Sequence, residues 1–261
     1  MEFKNLLFDV EEGVATITFN RPKAMNAMNT ETMNELMDAI LICKKDDSIK
    51  SLILTGAGGK SFIAGGDIAE MLNKTAPEAL EFFELGQETY RALEVLPKPS
   101  IAAIDGFALG GGVECAMACD VRFCSAKTVF GQPEITIGLI PGWGGSQRLA
   151  RLVGFGIAKE IIMGGGQTKA QRAYELGLVN RVYETSEELM AETKKFAKKL
   201  ATFPGFALKM AKHCINYGYD ISLDHAQRIE AECCAQCFST HDRREGMTAF
   251  VEKRKPVYIG K

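Results

Sequence analysis

An apolar strand, a glycine stop and a triple glycine that opens a helix follow one another between Ser100 and Gly112, and this unit constrains the fold more than any other stretch of the chain. Ser100-Ile101-Ala102-Ala103-Ile104-Asp105 has the length and apolarity of a buried strand. Gly106 stops it, and the helical sequence Gly111 to Cys119 begins inside Gly110-Gly111-Gly112. A helix start leaves backbone N–H groups unpaired and carries partial positive charge, so it attracts an oxygen that is gaining negative charge. Glycines there let a ligand come close to the backbone. Glu114 falls in the first turn of this helix. A second carboxylate, Glu134 in Gly131-Gln132-Pro133-Glu134, follows 20 residues later. The strand-like Val121-Arg122-Phe123-Cys124 and a short loop intervene, which is enough chain to return to the same pocket. Two carboxyls near one centre repel, and partial burial raises at least one pKa, so one can hold a proton while the other accepts one. Read singly, the glycine run is equally a tight strand-to-helix turn, and Glu114 a surface glutamate set against the helix dipole.

A third element, Lys60-Ser61-Phe62-Ile63-Ala64-Gly65-Gly66-Asp67-Ile68, follows the apolar strand Ser51 to Thr55 and precedes helix-like sequence through Met71. It supplies a second small-residue turn after a strand, and with it a second exposed N–H, at Gly66. Two N–H donors from separate turns make an oxyanion hole. The nearby Gly58-Gly59-Lys60-Ser61 is not a P-loop, because the first glycine that motif needs would fall on Leu54.

With these residues in place the chain resembles the enoyl-CoA hydratase/isomerase (crotonase) superfamily, and its hydratase branch closely. The resemblance covers nearly the whole chain. It rests on Asn20-Arg21-Pro22-Lys23-Ala24-Met25-Asn26-Ala27, the Ala64-to-Asp67 turn, Asp105-Gly106-Phe107-Ala108-Leu109-Gly110-Gly111-Gly112, and Gly131-Gln132-Pro133-Glu134 with Pro141-Gly142-Trp143-Gly144-Gly145-Ser146-Gln147-Arg148-Leu149. The tail Glu245 to Arg254 also fits. The resemblance implies an α/β fold, a superhelix of ββα repeats with a C-terminal helical layer that packs trimers, commonly paired into hexamers. It implies hydration of a 2-enoyl-CoA thioester, with coenzyme A as part of the substrate and no separate cofactor or metal. Glu114 and Glu134 would share one water, Glu114 helping to deprotonate it while Glu134 exchanges the C2 proton. Gly66 and Gly111 would be the oxyanion donors, and the Gly142 carbonyl would orient the water. Lys23, Ala24, Ala64, Gly66, Asp67 and Ile68 match positions that flank coenzyme A, and Lys253 would reach a phosphate from a neighbouring subunit; for a lysine, a solvated surface position is the bland alternative. Trp143 stands where the family often carries a smaller residue. Its indole either shortens the acyl pocket or simply packs in the core. Double-bond isomerisation and hydration of a cyclic dienoyl-CoA are the nearest rival reactions.

Composition narrows the classes further. With 261 residues, 46% of them hydrophobic, the chain can bury roughly 70–75% of its unfolded surface. A formal net charge of −2 argues against nucleic acid as the partner. No apolar run is long enough for a membrane span, and Met1-Glu2-Phe3-Lys4-Asn5 lacks a signal peptide's apolar core, so a cytoplasmic protein is expected. The 8 cysteines sit mostly in apolar or helical stretches, as suits a reducing compartment. Cys234-Ala235-Gln236-Cys237 is formally a C-x-x-C motif, but it has no second pair, and His213, His225 and His241 lack zinc-finger spacing.

Along the chain, Leu6 to Glu11 and Val14 to Asn20 read as a hairpin around Glu12-Gly13. Thr30 to Cys43 reads as a helix with Met33, Leu36, Met37, Ile40 and Leu41 on one face, and Ala76 to Leu96 as another that stops at Pro97-Lys98-Pro99. Strands and helices alternate to about Tyr183. From Ser186 the pattern is helical only, with breaks at Phe203-Pro204-Gly205 and before Ile221. The expected division is a core with the site at 1–185 and an oligomerising helical segment at 186–261.

Overall fold

The computed structural model describes residues 3–261; Met1 and Glu2, which open the stretch read above for a leader, lie outside the described residues. The chain starts with a hairpin, β1 (Leu6–Glu11) against β2 (Val14–Phe19), turned by Glu12 and Gly13, both at positive φ (50° and 78°). That pair of left-handed residues gives a two-residue turn whose twist matches the strands. Helix α1 (Thr30–Lys45) is capped by Asn29, whose side chain accepts from the Thr32 N–H. Its buried stripe runs through Met33, Leu36, Ala39, Ile40 and Cys43. Leu41, expected on that face, is 38% exposed instead, because the stripe drifts toward Ala39 and Cys43 as the helix turns.

From here one unit repeats: a strand in a large sheet, a three-residue strand in a small sheet, then helix. The first is β3 (Ser51–Gly56), β4 (Ser61–Ile63), α2 (Ile68–Met71) and α3 (Ala76–Glu94); the second is β5 (Ser100–Ile104), β6 (Phe107–Leu109) and α4 (Gly111–Ala118). The third is β7 (Val121–Ser125) and β8 (Val129–Gly131), followed by a 3-10 turn (Pro133–Ile137), α5 (Gly145–Val153) and α6 (Phe155–Gly164). Strands β3, β5 and β7 lie parallel and adjacent in one sheet, and β4, β6 and β8 do the same in the other. Each circuit of the chain therefore adds one strand to both sheets, which makes the path a superhelix. Strand β9 (Gln167–Lys169) ends the small sheet, antiparallel to β8. After α7 (Ala170–Glu175), β10 (Arg181–Tyr183) ends the large one, parallel to β7. Four helices complete the chain: α8 (Ser186–Ala201), α9 (Gly205–Gly218), α10 (Leu223–Cys237) and α11 (His241–Glu252).

The central strands are buried on both faces, which is why they read as continuous apolar runs rather than alternating ones. Leu52, Leu54, Ala102 and Ile104 face the main core with α1, while Ile53, Ile101, Ala103 and Phe123 meet Leu189 and Ala197 of α8 on the opposite face. Helix α8 thus lies on the large sheet. Helices α9 and α10 pack on each other, and together with α11 they leave Ile215, Tyr219, Leu223, Phe238, Phe250 and Val251 exposed. Among the described residues, no helix is long and apolar enough to cross a membrane.

Candidate active site

The repeat brings two strand-to-helix turns side by side. After β4, the turn Ala64-Gly65-Gly66 is strapped to the loop that precedes α1: Ala64 N–H donates to Met25 O (3.1 Å), Met28 N–H to Gly65 O (2.9 Å) and Asp67 N–H to Met28 O (2.9 Å). Those bonds use the groups on either side of Gly66 and leave its own N–H outside the ladder. After β6, Gly110 takes φ 50° and ψ −119°, which a side chain would strain, and its N–H is fixed to Gly131 O at 2.8 Å. Val113 and Glu114 return their N–H groups to Gly110 O, so the N–H groups of Gly111 and Gly112 have no acceptor within the helix. Gly111 is also pinned from behind, because Tyr90 donates its hydroxyl to Gly111 O at 3.0 Å. A Cβ on Gly111 would run into the six-membered ring of Trp143.

Helix α4 is buried from end to end, and Glu114 in its first turn is 2% exposed. Its Oε1 accepts two backbone N–H groups from the loop before α5, Trp143 at 2.8 Å and Gly145 at 2.7 Å. Burial pushes the Glu114 carboxyl up to about 7; the Glu134 charge adds to this, while the two N–H donors and the Arg148 guanidinium oppose it. Glu134 sits on the 3-10 turn, half-buried, and burial raises its pKa as well. With its amide nitrogen turned to the carboxylate, Gln132 donates to Glu134 Oε1 and Oε2 at 2.9 and 3.1 Å. The closeness of Glu134 to the glycine turn is direct, since a Cβ on Gly110 would lie 2.7 Å from its Oε1.

One pocket gathers Ala64, Gly66, Ile68, Gly111, Glu114, Glu134, Gly142 and Trp143. Both carboxyls and both glycine turns therefore open on the same space, and Met71, Phe83, Leu109, Ile137, Leu139 and Ile140 supply apolar walls. Trp143 is 2% exposed and packs its rings 5.3 Å from Phe82, 6.3 Å from Phe83 and 5.8 Å from Tyr90, so it is a core residue and a pocket wall at once. The Gly142 carbonyl accepts from Gln87 Nε2 at 2.8 Å.

Other expected positions lie apart from this pocket. Asp67 follows the turn, but its carboxylate is committed to Arg21 (2.9 Å) and to the Ala69 N–H that starts α2 (3.2 Å). Lys23 and Ala24 form a 3-10 turn with Pro22, where Lys23 lines a neighbouring cleft with Met25, Lys60 and Ser61. Lys253 caps the end of α11 in the left-handed conformation (φ 55°) and is exposed. Sequence reasoning missed Gln132, the two N–H donors of the 141–145 loop and the Tyr90 anchor. Gln132 stood inside a quoted motif, but nothing local signalled its bond to Glu134; the other contacts join segments far apart in the chain. Among the described residues no group of three His, Cys, Asp or Glu side chains could hold a metal ion. The arrangement offers two proton-exchanging carboxyls beside unpaired N–H groups, which suits acid–base work at a carbon next to a carbonyl.

The family model for enoyl-CoA hydratase/isomerase matches residues 9–261. The chain is 46% identical over 261 residues to the crotonyl-CoA hydratase of Syntrophomonas wolfei, with all of both chains covered. It is 48% identical over 255 residues to the short-chain-enoyl-CoA hydratase of Clostridium acetobutylicum, covering 98% of this chain and 97% of that one. A crystal structure of enoyl-CoA hydratase from Bacillus anthracis superposes with a TM-score of 0.95 at 36% identity, over 99% of this chain and 100% of that one. Fold and relatives agree: the chain belongs to the enoyl-CoA hydratase/isomerase family.

Proposed function

We propose that this protein is an enoyl-CoA hydratase, adding water reversibly across the C2=C3 bond of a short-chain 2-enoyl-CoA to give the 3-hydroxyacyl-CoA. The observation that carries the reading is the meeting of Glu114, Glu134, Gly66 and Gly111 in one pocket of a chain whose full-length relatives are named crotonyl-CoA and short-chain-enoyl-CoA hydratase. When water adds to C3, electron density moves to the thioester oxygen. Fixed N–H groups at Gly66 and Gly111 stabilise that enolate-like state more than the ground state, which lowers the barrier. Glu114, with a pKa pushed up to about 7, is present in both protonation forms near neutrality and takes the proton of the water. Glu134, on the facing turn, exchanges the C2 proton. The Gly142 carbonyl has a second lone pair beyond the one given to Gln87, and this is free for the water.

The two carboxyls and two donors fill every role in the reaction, so no separate metal or redox cofactor is proposed. Trp143, Met71 and Phe83 crowd the glycine turns and favour short acyl chains. Lys23, Ala24, Ala64, Gly66, Asp67 and Ile68 flank coenzyme A, and Lys253 meets a phosphate from a neighbouring subunit. Exposed apolar residues on α9–α11 support a homotrimer or homohexamer, and eight free cysteines suit a cytoplasmic setting. The test is direct: the purified protein hydrates crotonyl-CoA, unaffected by a chelator, faster than it hydrates longer or cyclic enoyl-CoA esters. Double-bond shift without hydration would favour the isomerase reading; loss of activity with the chelator would remove the cofactor-free one.

A further inference from the structure

The loop that carries the donors to Glu114 is itself held from outside the pocket. Gln87 Nε2 donates to the carbonyl of Gly142, and the N–H of the same peptide unit, on Trp143, donates to Glu114 Oε1. The next carbonyl, Trp143 O, accepts from Arg148 Nη1 at 3.0 Å. Arg148 is fixed in turn by Glu94, through Nε at 3.3 Å and Nη2 at 3.0 Å, and Arg91 holds the same carboxylate at 2.8 Å. Gln87 and Glu94 both stand on α3, two turns apart, so one rigid helix braces two successive peptide units of the loop. The Gly142–Trp143 peptide, whose carbonyl accepts from Gln87, becomes a stronger donor to Glu114 through the Trp143 N–H, whereas Arg148 fixes the next unit, whose N–H on Gly144 is not a donor to Glu114.

We propose that Gln87, Glu94 and Arg148 are positioning residues for the reaction, a bracket behind the loop that keeps its N–H donors on Glu114 and so governs how readily that carboxylate takes the proton of water. None of the three lies among the residues that line the catalytic pocket. The charged and titratable groups set around Glu114 are Tyr90 and Glu94 from α3, Cys115 on its own helix, Glu134 from the 3-10 turn, Arg148 from α5, and Arg122 of β7 at the far end of α4. Among the described residues, Arg148 is the cation whose charge acts on Glu114 from the loop side. The direction follows: weaker N–H donors or loss of the guanidinium raise the pH at which Glu114 ionises.

The proposal rests on the hydratase reading, and the experiment separates the two. For Arg148→Met, made together with Glu94→Gln so that no carboxylate is left unpaired, the rising limb of kcat/KM against pH should move up by roughly half a pH unit or more. Turnover near neutrality should fall about two- to threefold for a half-unit shift and recover at higher pH, with KM within about twofold of wild type. Gln87→Leu, at an exposed helix position that folding tolerates, should move the limb the same way by less, and Arg148→Lys, which keeps the charge, should restore part of the shift. A loss equal at every pH, or a limb that stays in place, overturns the bracket. The carboxyl infrared band that vanishes in Glu114→Gln gives a readout without turnover. If the wild-type protein fails to hydrate crotonyl-CoA, the functional reading falls, whereas a band that titrates identically in wild type and variants defeats the bracket alone.

Discussion

Helix α4 and the 141–145 loop, which hold Glu114, are buried and tied at successive peptide units, whereas the stretch from Pro133 to Ile140, which holds Glu134, shows Ile135, Ile137, Leu139 and Ile140 at 44%, 56%, 37% and 67% exposure. The two glutamates share a pocket but stand on different ground. The first is preorganised: its partners, its burial and its raised pKa are set before anything binds. The second sits on a turn whose apolar side chains stay 37–67% exposed, and which an acyl chain would complete. A site built this way sets one of its two proton-exchanging groups in the buried part and the other on the exposed turn, where the substrate fits.

The largest effect should come from removing either carboxylate. Glu114→Gln and Glu134→Gln should each slow turnover by on the order of 10²–10⁴-fold with little change in thioester binding. Near-normal turnover in either variant, in a crotonyl-CoA hydration assay, would strip that glutamate of its part.

Next comes Trp143, where the buried region and the pocket meet. Truncation to alanine empties a space ringed by Phe82, Phe83 and Tyr90 and should cost about 3–5 kcal/mol of stability. It should also raise kcat/KM for C8 relative to C4 esters. Trp143→Phe is the sharper variant. The indole Nε1 is buried with no partner among the described residues, so phenylalanine removes an unpaired donor along with some packing and should stay within about 1 kcal/mol of wild type in denaturant melts. A flat C8-to-C4 ratio in the alanine variant would leave Trp143 a core residue alone.

Gly111→Pro should raise the barrier by roughly 3 kcal/mol, since it deletes a donor. Proline suits the first position of a helix, so helix geometry itself does not forbid it; the clash is with the Trp143 ring that already covers this Cα. Full activity in a folded variant would refute the donor assignment.

How far the sequence reached depends on the range of the interactions involved. The β1–β2 hairpin, α1, the strands of the large sheet and the start of α4 follow from local pattern, because each is long enough to show its period or its glycine stop. The small sheet does not: β4, β6, β8 and β9 have three residues each, too few for a period of two, and they hold together only through one another. Ser61 to Ile63 therefore read as part of a turn. The two glutamates and two glycines were legible because each stands at a punctuated strand-to-helix junction. The Gln132 amide, the loop N–H groups on Glu114 and the Arg148–Glu94 brace were not, since they join segments whose meeting is decided by the superhelix. The Asp67 carboxylate, held by Arg21 and the start of α2, is another contact that local pattern does not show.

The contrast between the two glutamates also predicts stability against pH. The folded pKa of Glu114 lies above the ordinary carboxylate value of 4.5, at about 7, so its contribution is fully present below about 4.5 and is lost as pH rises through about 7. Glu114→Gln, which never ionises, should match wild type near pH 4 and exceed it near pH 8 by at most about 3 kcal/mol. Glu134→Gln, at a half-buried site, should show the same sign and a smaller gap. Equal gaps for the two variants would erase the distinction between fixed and solvated ground.

The smallest effect should fall on the exposed turn, and it isolates what that turn is for. Ile137 and Ile140 line the pocket while facing solvent, so serine at either position removes little buried surface from the resting protein. Thermal stability should stay within about 0.5 kcal/mol of wild type, as for surface changes away from special features. Binding is another matter. An acyl chain that lies against these side chains buries them, at about 25 cal/mol per Å² of apolar surface, so losing one should raise KM by a few-fold, more for longer esters than for crotonyl-CoA. Because the change leaves Glu134 and its Gln132 partner untouched, kcat should hold. A variant that melts early with KM unchanged would mean that the isoleucines support the fold, and that the turn belongs with the buried region after all.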